Sequence, residues 1–135
     1  MKLTADTNLL VRMATNDDAG QARIAFDILT AAERILVPLP CLVEFVWVLE
    51  STYLFSKGEV ENALLTLVSS VNVFTDIAAV EAGLRVHAAG GDFADGVIAS
   101  AGAGMGAEIF VSFDRKAVAR VAAVGIPARD ARAFA

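Results

Sequence analysis

Four short stretches place a carboxylate at the edge of an apolar run: Asp6-Thr7-Asn8, Leu42-Val43-Glu44, Asp92-Phe93-Ala94-Asp95 and Ser112-Phe113-Asp114. One acid at a strand end says little, because strands end in polar residues. Four say more. If a parallel sheet gathers those ends, the acids converge, and a bound cation makes their mutual repulsion tolerable. The chemistry open to such a set is hydrolytic. Hard oxygen ligands select Mg²⁺ or Mn²⁺, and one cysteine with one histidine does not supply the usual zinc constellations. A cation held this way lowers the pKa of a bound water and offsets charge on a phosphate during in-line attack, so no side-chain nucleophile is required.

The acids are not equivalent, and each has a plain structural role beside the chemical one. Asp6, followed by Thr7 and Asn8, can cap a turn as well as bind a metal. Glu44 is the only charge between Leu36 and Leu49. A carboxylate buried among apolar neighbours costs several kcal/mol, roughly, unless it is paired or metal-bound, so Glu44 is expected to have a partner. The competing reading puts it on the surface rim of its helix, or completing a cap with Cys41. Asp92 and Asp95 have N-cap and N3 spacing, which makes Asp92 the better cap and Asp95 the better ligand. Asp114 can cap the helix beginning at Arg115 and still bind a metal or orient a water. Asn8 and Ser112 are supporting polar groups. Arg12, Arg115 and Lys116 lie beside the acids and are candidates for holding phosphates of a substrate, with surface solvation as the alternative.

The elements that must position these residues alternate between strand-like and helical runs, with no repeat, linker or low-complexity tract. Lys2 to Ala5 reads as a first strand stopping at Asp6. Thr15 to Asp18 offers caps for a helix in which Ile24, Ile28 and Leu29 share a face. Ile35 to Val37 is a second strand, and Pro38 and Pro40 open the helix carrying Glu44 in its first turn. Ser56 and Glu59 have capping-box spacing for a helix through Leu67. Val71 to Phe74 is a third strand. Asp76 starts a helix that Gly90 and Gly91 end. Another runs from near Asp92 into the small residues Ala99 to Ala107, which would let it lie close to the sheet. Ile109 to Val111 is expected to be the central strand. A last helix runs from Arg115 to Ala123 and stops at Gly125, with Ile126 to Ala128 as a short edge strand. The expected architecture is one α/β domain, residues 1–135, with a parallel sheet whose carboxyl ends carry the function.

Composition bounds the remaining possibilities. A chain of 135 residues with 56% hydrophobic content can bury one core. The longest uncharged stretch, Asn62 to Thr75, contains Ser69, Ser70 and Asn72 and is too short and polar to cross a bilayer. Lys2 and Asp6 interrupt any signal-peptide core, and Cys41 has no second cysteine for a disulfide, so a reducing cytoplasm is the expected setting. Cys41 and His87 are expected to pack rather than react, and Phe45, Trp47, Leu49, Tyr53 and Phe55 to belong to the core or a subunit interface. The net charge of −5 speaks against a nucleic-acid partner, but its distribution softens the objection. Arg115 to Ala135 carries +4, so Met1 to Asp114 carries −9.

Asp-Thr-Asn-Leu-Leu-Val-Arg at 6 to 12, Glu-Phe-Val-Trp-Val-Leu at 44 to 49, Asp-Phe-Ala-Asp-Gly-Val-Ile-Ala at 92 to 99 and Ser-Phe-Asp-Arg-Lys-Ala at 112 to 117 together resemble the PIN-domain ribonucleases. They look most like the VapC toxins of type II toxin–antitoxin systems. The match covers nearly the whole chain, and the ordered set is specific where no single motif is. The resemblance implies a three-layer α/β/α sandwich with a central parallel sheet, a Mg²⁺- or Mn²⁺-dependent endoribonuclease and a homodimer. It also implies a small VapB-like antitoxin whose C-terminal segment blocks the site. By position, the family's acidic quartet falls on Asp6, Glu44, Asp95 and Asp114, with Asp92 an additional nearby acid. Asn8 and Ser112 match supporting positions; the latter is more often threonine. Gly96 stands where alanine is usual, which is expected to loosen the helix carrying Asp95 without removing a ligand.

Two other classes are open. A small Mg²⁺-dependent phosphatase of the haloacid dehalogenase type also begins from an aspartate after the first strand, but it has a second aspartate where this chain has Asn8. A PIN-like binding module that keeps the acids with weak or no turnover is the other.

Overall fold

The computed structural model describes residues 1–135, and its contacts divide the chain into two compact units, Met1–Asp76 and Ile77–Ala135. In the first, β1 (Lys2–Thr4), β2 (Arg34–Leu36) and β3 (Val73–Phe74) form a parallel sheet in the order β1-β2-β3. Leu3 pairs with Ile35, and Ile35 with Val73. The ladder extends past the strand ends: Ala5 N–H donates to Leu36 O at 3.1 Å and Val37 N–H to Phe74 O at 3.0 Å. Thr4 is level with Leu36, so the chain leaves β1 towards Asp6, and β2 towards Pro38, at the same edge.

Four helices belong to this unit: α1 (Thr7–Thr15), α2 (Ala19–Ala31), α3 (Leu39–Ser51) and α4 (Lys57–Val68). Local chemistry sets their starts. Asp18 accepts from Gln21 N–H at 3.0 Å to open α2. Ser56 and Glu59 close both bonds of a capping box on α4. Pro38 is the cap residue of α3, and Pro40 sits in its first turn, where a missing N–H is harmless. Helix α3 turns Leu42, Phe45, Val46 and Leu49 inwards at helical spacing. Burying each such side chain stabilises the fold by about 1.5–3 kcal/mol.

Several expectations are corrected here. Helix α1 was not anticipated; it buries only Leu10 and Val11, and its contacts with α2 and α3 supply what so short an apolar segment lacks alone. On α2 the inward face is Ala22, Ala25 and Leu29, whereas Ile24 is 61% exposed and Ile28 is also exposed. Small side chains let α2 approach closely, so the larger isoleucines lie outside. The third strand is shorter than expected, with Val71 fully in solvent. Glu44 lies in the second turn of α3.

In the second unit, α5 (Ile77–Ala88), α6 (Phe93–Gly104) and α7 (Arg115–Ala123) accompany β4 (Phe110–Ser112) and β5 (Ala128–Asp130), with a short 3₁₀ turn at Ala131–Phe134. β4 and β5 pair in parallel, Val111 opposite Arg129 and Ser112 opposite Asp130. β4 is therefore one of a pair in its sheet rather than a centre, and Val111 is exposed. Gly90 and Gly125 take φ of 90° and 93° where α5 and α7 stop. Val86, Ala99 and Val121 form a buried cluster against Phe110, Ile126 and Ala128.

The expectation for Gly96 is reversed. A β-carbon there would stand 2.5 Å from Ala82 O and 2.6 Å from Gly83 Cα, so α6 crosses α5 backbone against backbone. Glycine tightens this crossing instead of loosening the helix. The small residues beyond it act unequally: Ala99 packs inwards, whereas nothing lies within 4 Å of a β-carbon built at Gly104. All strand pairings are parallel and helices connect the strands, the α/β class expected. No helix is long and apolar enough to cross a membrane.

Candidate metal centre

In the unit Met1–Asp76, Asp6 is the N-cap of α1, its Oδ1 accepting from Leu9 N–H at 3.0 Å. The capping and the ligand roles coexist, because one oxygen holds the helix start and helix N-termini favour negative charge. Asp6, Asn8, Arg12, Gln21 and Ile24 line a shallow hollow of about 220 Å³. A larger hollow, about 380 Å³, lies among Leu10, Phe45, Phe55 and Leu67; none of the candidate acids lines it.

Glu44 departs from expectation. It is exposed on α3, on the same side as Trp47, itself 65% exposed. The apolar residues that surround it in sequence point the other way, so burial does not oblige it to have a partner. Phe45 and Leu49 are core, as expected. Asp6 and Glu44 do act on a common neighbour. The half-buried Cys41 thiol is pushed above its ordinary pKa, first by desolvation, with the negative charges of Asp6 and Glu44 adding to it. Thr7 Oγ1 donates to Cys41 Sγ at 3.8 Å. A raised thiol pKa lowers the thiolate fraction, in keeping with the packing role expected of Cys41.

Arg12 is engaged within the protein. Its Nε donates to Gln21 Oε1 at 2.6 Å, and its Nη1 to Asp17 Oδ1 at 2.9 Å and to the Tyr53 hydroxyl oxygen at 3.3 Å. The Tyr53 hydroxyl donates to Asp17 Oδ2 at 2.6 Å. This clasp joins the end of α1, which Asp6 begins, to the residues just after α3, which carries Glu44. The sequence context of Tyr53 points only to packing and that of Asp17 only to capping; their polar ends are the one sign of more.

In the unit Ile77–Ala135, Asp92 caps α6, accepting from Ala94 N–H at 3.1 Å. Asp114 caps α7, its Oδ1 accepting from Lys116 and Ala117 N–H at 3.0 and 3.1 Å. Ser112 Oγ accepts from Asp114 N–H at 3.0 Å, a supporting role matching expectation. Asp95 differs from both. It is partly buried in the first turn of α6, and its carboxyl is held above the usual carboxylate range by desolvation first, then by the charges of Asp92 and Asp114. Arg120 partly offsets this. Gly91 makes room for that arginine: a β-carbon there would meet Arg120 Cδ at 2.7 Å. In the sequence Arg120 stands out only as one charge of the basic C-terminal segment. Arg115 is exposed, its Nε 3.4 Å from Asp130 Oδ2, and Lys116 is exposed as well. His87 is buried, the packing role expected.

Within neither unit do three histidine, cysteine, aspartate or glutamate side chains gather into a ready cage. The donor chemistry nonetheless suits a hard divalent cation. Asp92, Asp95 and Asp114 offer only oxygen, and Asp95 bears like-charge crowding that a cation relieves.

A PIN-domain family profile matches residues 4–124. The chain belongs to the PIN domain family. PIN domains are in general metal-dependent nucleases, hydrolases that act on RNA. The matched span runs through every candidate acid of this PIN chain, from Asp6 to Asp114, and crosses the boundary between its two units. No curated protein matches the chain.

Proposed function

We propose that this PIN chain is an endoribonuclease that hydrolyses RNA phosphodiester bonds with Mg²⁺ or Mn²⁺, and that it is the toxin of a type II toxin–antitoxin pair. Asp6, Glu44, Asp95 and Asp114 are the proposed ligands, with Asp92, Asn8 and Ser112 in support, and residues 1–135 act as one domain. The observation that carries this reading is Asp95: a partly buried carboxyl, raised in pKa beside Asp92 and Asp114, at the start of a helix. Such a group is unfavourable for stability alone and favourable for cation binding. When bound, the cation supplies a lowered water pKa and offsets charge at the scissile phosphate. The chain's own part is orientation. Asp6 and Asp114 each use Oδ1 to hold a helix N-terminus, which fixes the direction of the carboxylate. Arg115 and Lys116 face solvent beside Asp114, suited to holding RNA phosphates.

The toxin role, the homodimer and the VapB-like antitoxin rest on the four ordered motifs, and the cytoplasmic setting on Cys41 having no second cysteine to pair with. Growth arrest on expression, relieved by a co-expressed antitoxin, is the outcome expected. Total RNA incubated with the purified chain should be cleaved with Mg²⁺ or Mn²⁺ and remain intact with chelator. Asp6→Asn should abolish cleavage while leaving the circular dichroism spectrum unchanged; wild-type cleavage by that variant would sink the assignment. Phosphate release from small phosphomonoesters without RNA cleavage would instead favour the phosphatase class, and absent Mg²⁺ and Mn²⁺ binding in calorimetry would favour a binding module.

A further inference from the structure

Just before Asp114, Phe113 leaves the carboxyl end of β4 with 69% of its surface in solvent. A single exposed aromatic needs no explanation. This one is held in place. The Arg132 guanidinium carbon lies 5.4 Å from the ring centroid, and Arg132 Nη1 donates to Phe113 O at 3.0 Å. The same Nη1 reaches the Asp130 carboxylate at 3.0 and 3.1 Å. A second pair repeats the pattern nearby in sequence: Arg129 stands 5.1 Å from the ring centroid of Phe134, which is 57% exposed. Because Ser112 pairs with Asp130, Phe113 and Arg132 emerge side by side at the carboxyl edge of the β4–β5 ladder.

We infer that Phe113 and Arg132 form a base-stacking platform that seats an unpaired nucleotide of single-stranded RNA beside Asp114, with Arg129 and Phe134 as a second step. This rests on the ribonuclease reading of the same strand end and adds the residues that seat a nucleotide there. Two observations favour RNA as the occupant. An aromatic face offers stacking to any unstacked base, and the Arg132 guanidinium packed on the ring limits its motion. Arg115 to Ala135 carries +4, against −9 for the rest of the chain, so the segment complements a polyanion. A paired duplex keeps its bases stacked inside the helix and does not present a face to Phe113.

The test measures binding of the full chain to a short fluorescein-labelled oligoadenylate by anisotropy, in chelator so that nothing is cleaved. Phe113→Ala and Phe113→Leu should each weaken binding about tenfold, within the range of one lost stacking contact. Phe113→Tyr should restore it. Binding to the same strand annealed to its complement should change less than twofold, roughly. Arg132→Gln should weaken binding and flatten its salt dependence by about 0.7 in slope, one phosphate's worth for a single strand. Because Phe113 is exposed, its variants keep the fold, and circular dichroism checks this for them and for Arg132→Gln. Wild-type affinity in Phe113→Leu, equal losses on single strand and duplex, or competition by polyglutamate as strong as by RNA would each overturn the platform. If Phe113→Leu binds normally while metal-dependent cleavage persists, the platform fails alone; if the wild-type chain neither binds nor cleaves RNA, the ribonuclease reading fails with it.

Discussion

Glu44 on α3 and Asp95 on α6 are both carboxylates on apolar helices, yet they occupy opposite surroundings. Glu44 stands in solvent beside Trp47, while Leu42, Phe45, Val46 and Leu49 take the inward face. Asp95 is drawn partly inside, against Asp92 and Asp114, and its proton is held more tightly than a free carboxyl's. The difference teaches that apolar neighbours in the chain do not make a carboxylate costly. What does is the combination of lost water and nearby like charge, and only Asp95 has both.

The largest expected effect follows from that contrast. Asp95→Asn removes a charge that the folded protein disfavours, so thermal unfolding should shift upwards or hold, while Mg²⁺-dependent RNA cleavage should fall on the order of 10²-fold or more. Glu44→Gln should also reduce cleavage, by less, and leave stability within about 0.5 kcal/mol, as exposed substitutions generally do. A lowered melting temperature in Asp95→Asn would break the comparison, since it would mean that the ionised carboxylate stabilises the fold. Equal losses of cleavage in the two variants would make Glu44 an equal ligand and exposure a poor guide.

The next effect tests what fixes Asp95 in place. Two glycines of α6 have contrasting surroundings: Gly96 meets the α5 backbone, whereas Gly102 has only Ala107 Cβ near, at 3.8 Å from a built β-carbon. Gly96→Ala should therefore destabilise by about 1–3 kcal/mol through overpacking. Gly102→Ala should stabilise by up to about 1 kcal/mol, because it reduces unfolded-state freedom with no clash. Urea unfolding measures both. The same sign for the two would remove the backbone-on-backbone crossing as the reason for glycine at Gly96.

Much of this arrangement is legible in residues whose role is local. Asp18, Ser56 with Glu59, Asp92 and Asp114 all act as the caps their spacing suggests, and Pro38, Gly90 and Gly125 punctuate as expected. The parallel pairing of the strands follows from their alternation with helices. What was not legible depends on which face a neighbour covers. Helix α1 packs on α2 and α3, neighbours that its own sequence does not reveal. On α2 the choice of Ala22 and Ala25 over Ile24 and Ile28 is one of close approach, which hydrophobicity alone ranks the wrong way. Glu44 is exposed because a helical turn rotates a residue away from the apolar side chains flanking it in sequence. Arg12 sits among the site motifs in sequence but bonds to Gln21, Asp17 and Tyr53, a grouping made by tertiary structure.

That grouping carries the smallest expected effect, and pH separates it from the others. The Asp17 carboxyl is held below the usual carboxylate range, chiefly by the Tyr53 hydroxyl, with Thr15 and Arg12 contributing. A carboxyl lowered on folding stabilises the folded state at every pH above its unfolded value, about 3.9, and loses that contribution as pH falls through its folded value. Tyr53→Phe deletes the largest contribution while leaving the ring in place. The variant should melt slightly below the wild type at neutral pH, with the gap constant as pH rises and closing once pH drops below about 4. Because the Arg12–Asp17 ion pair is exposed and survives the substitution, the neutral-pH gap should be small and little altered by salt. A gap that widened in acid would reverse the sign of the linkage and remove Tyr53 as the group that lowers Asp17. A large loss of RNA cleavage in Tyr53→Phe at unchanged stability would instead show that the clasp sets the relation between Asp6 and Glu44, the two acids at either side of it. In that case Glu44 would matter through where α1 holds Asp6, and its exposure would count for less.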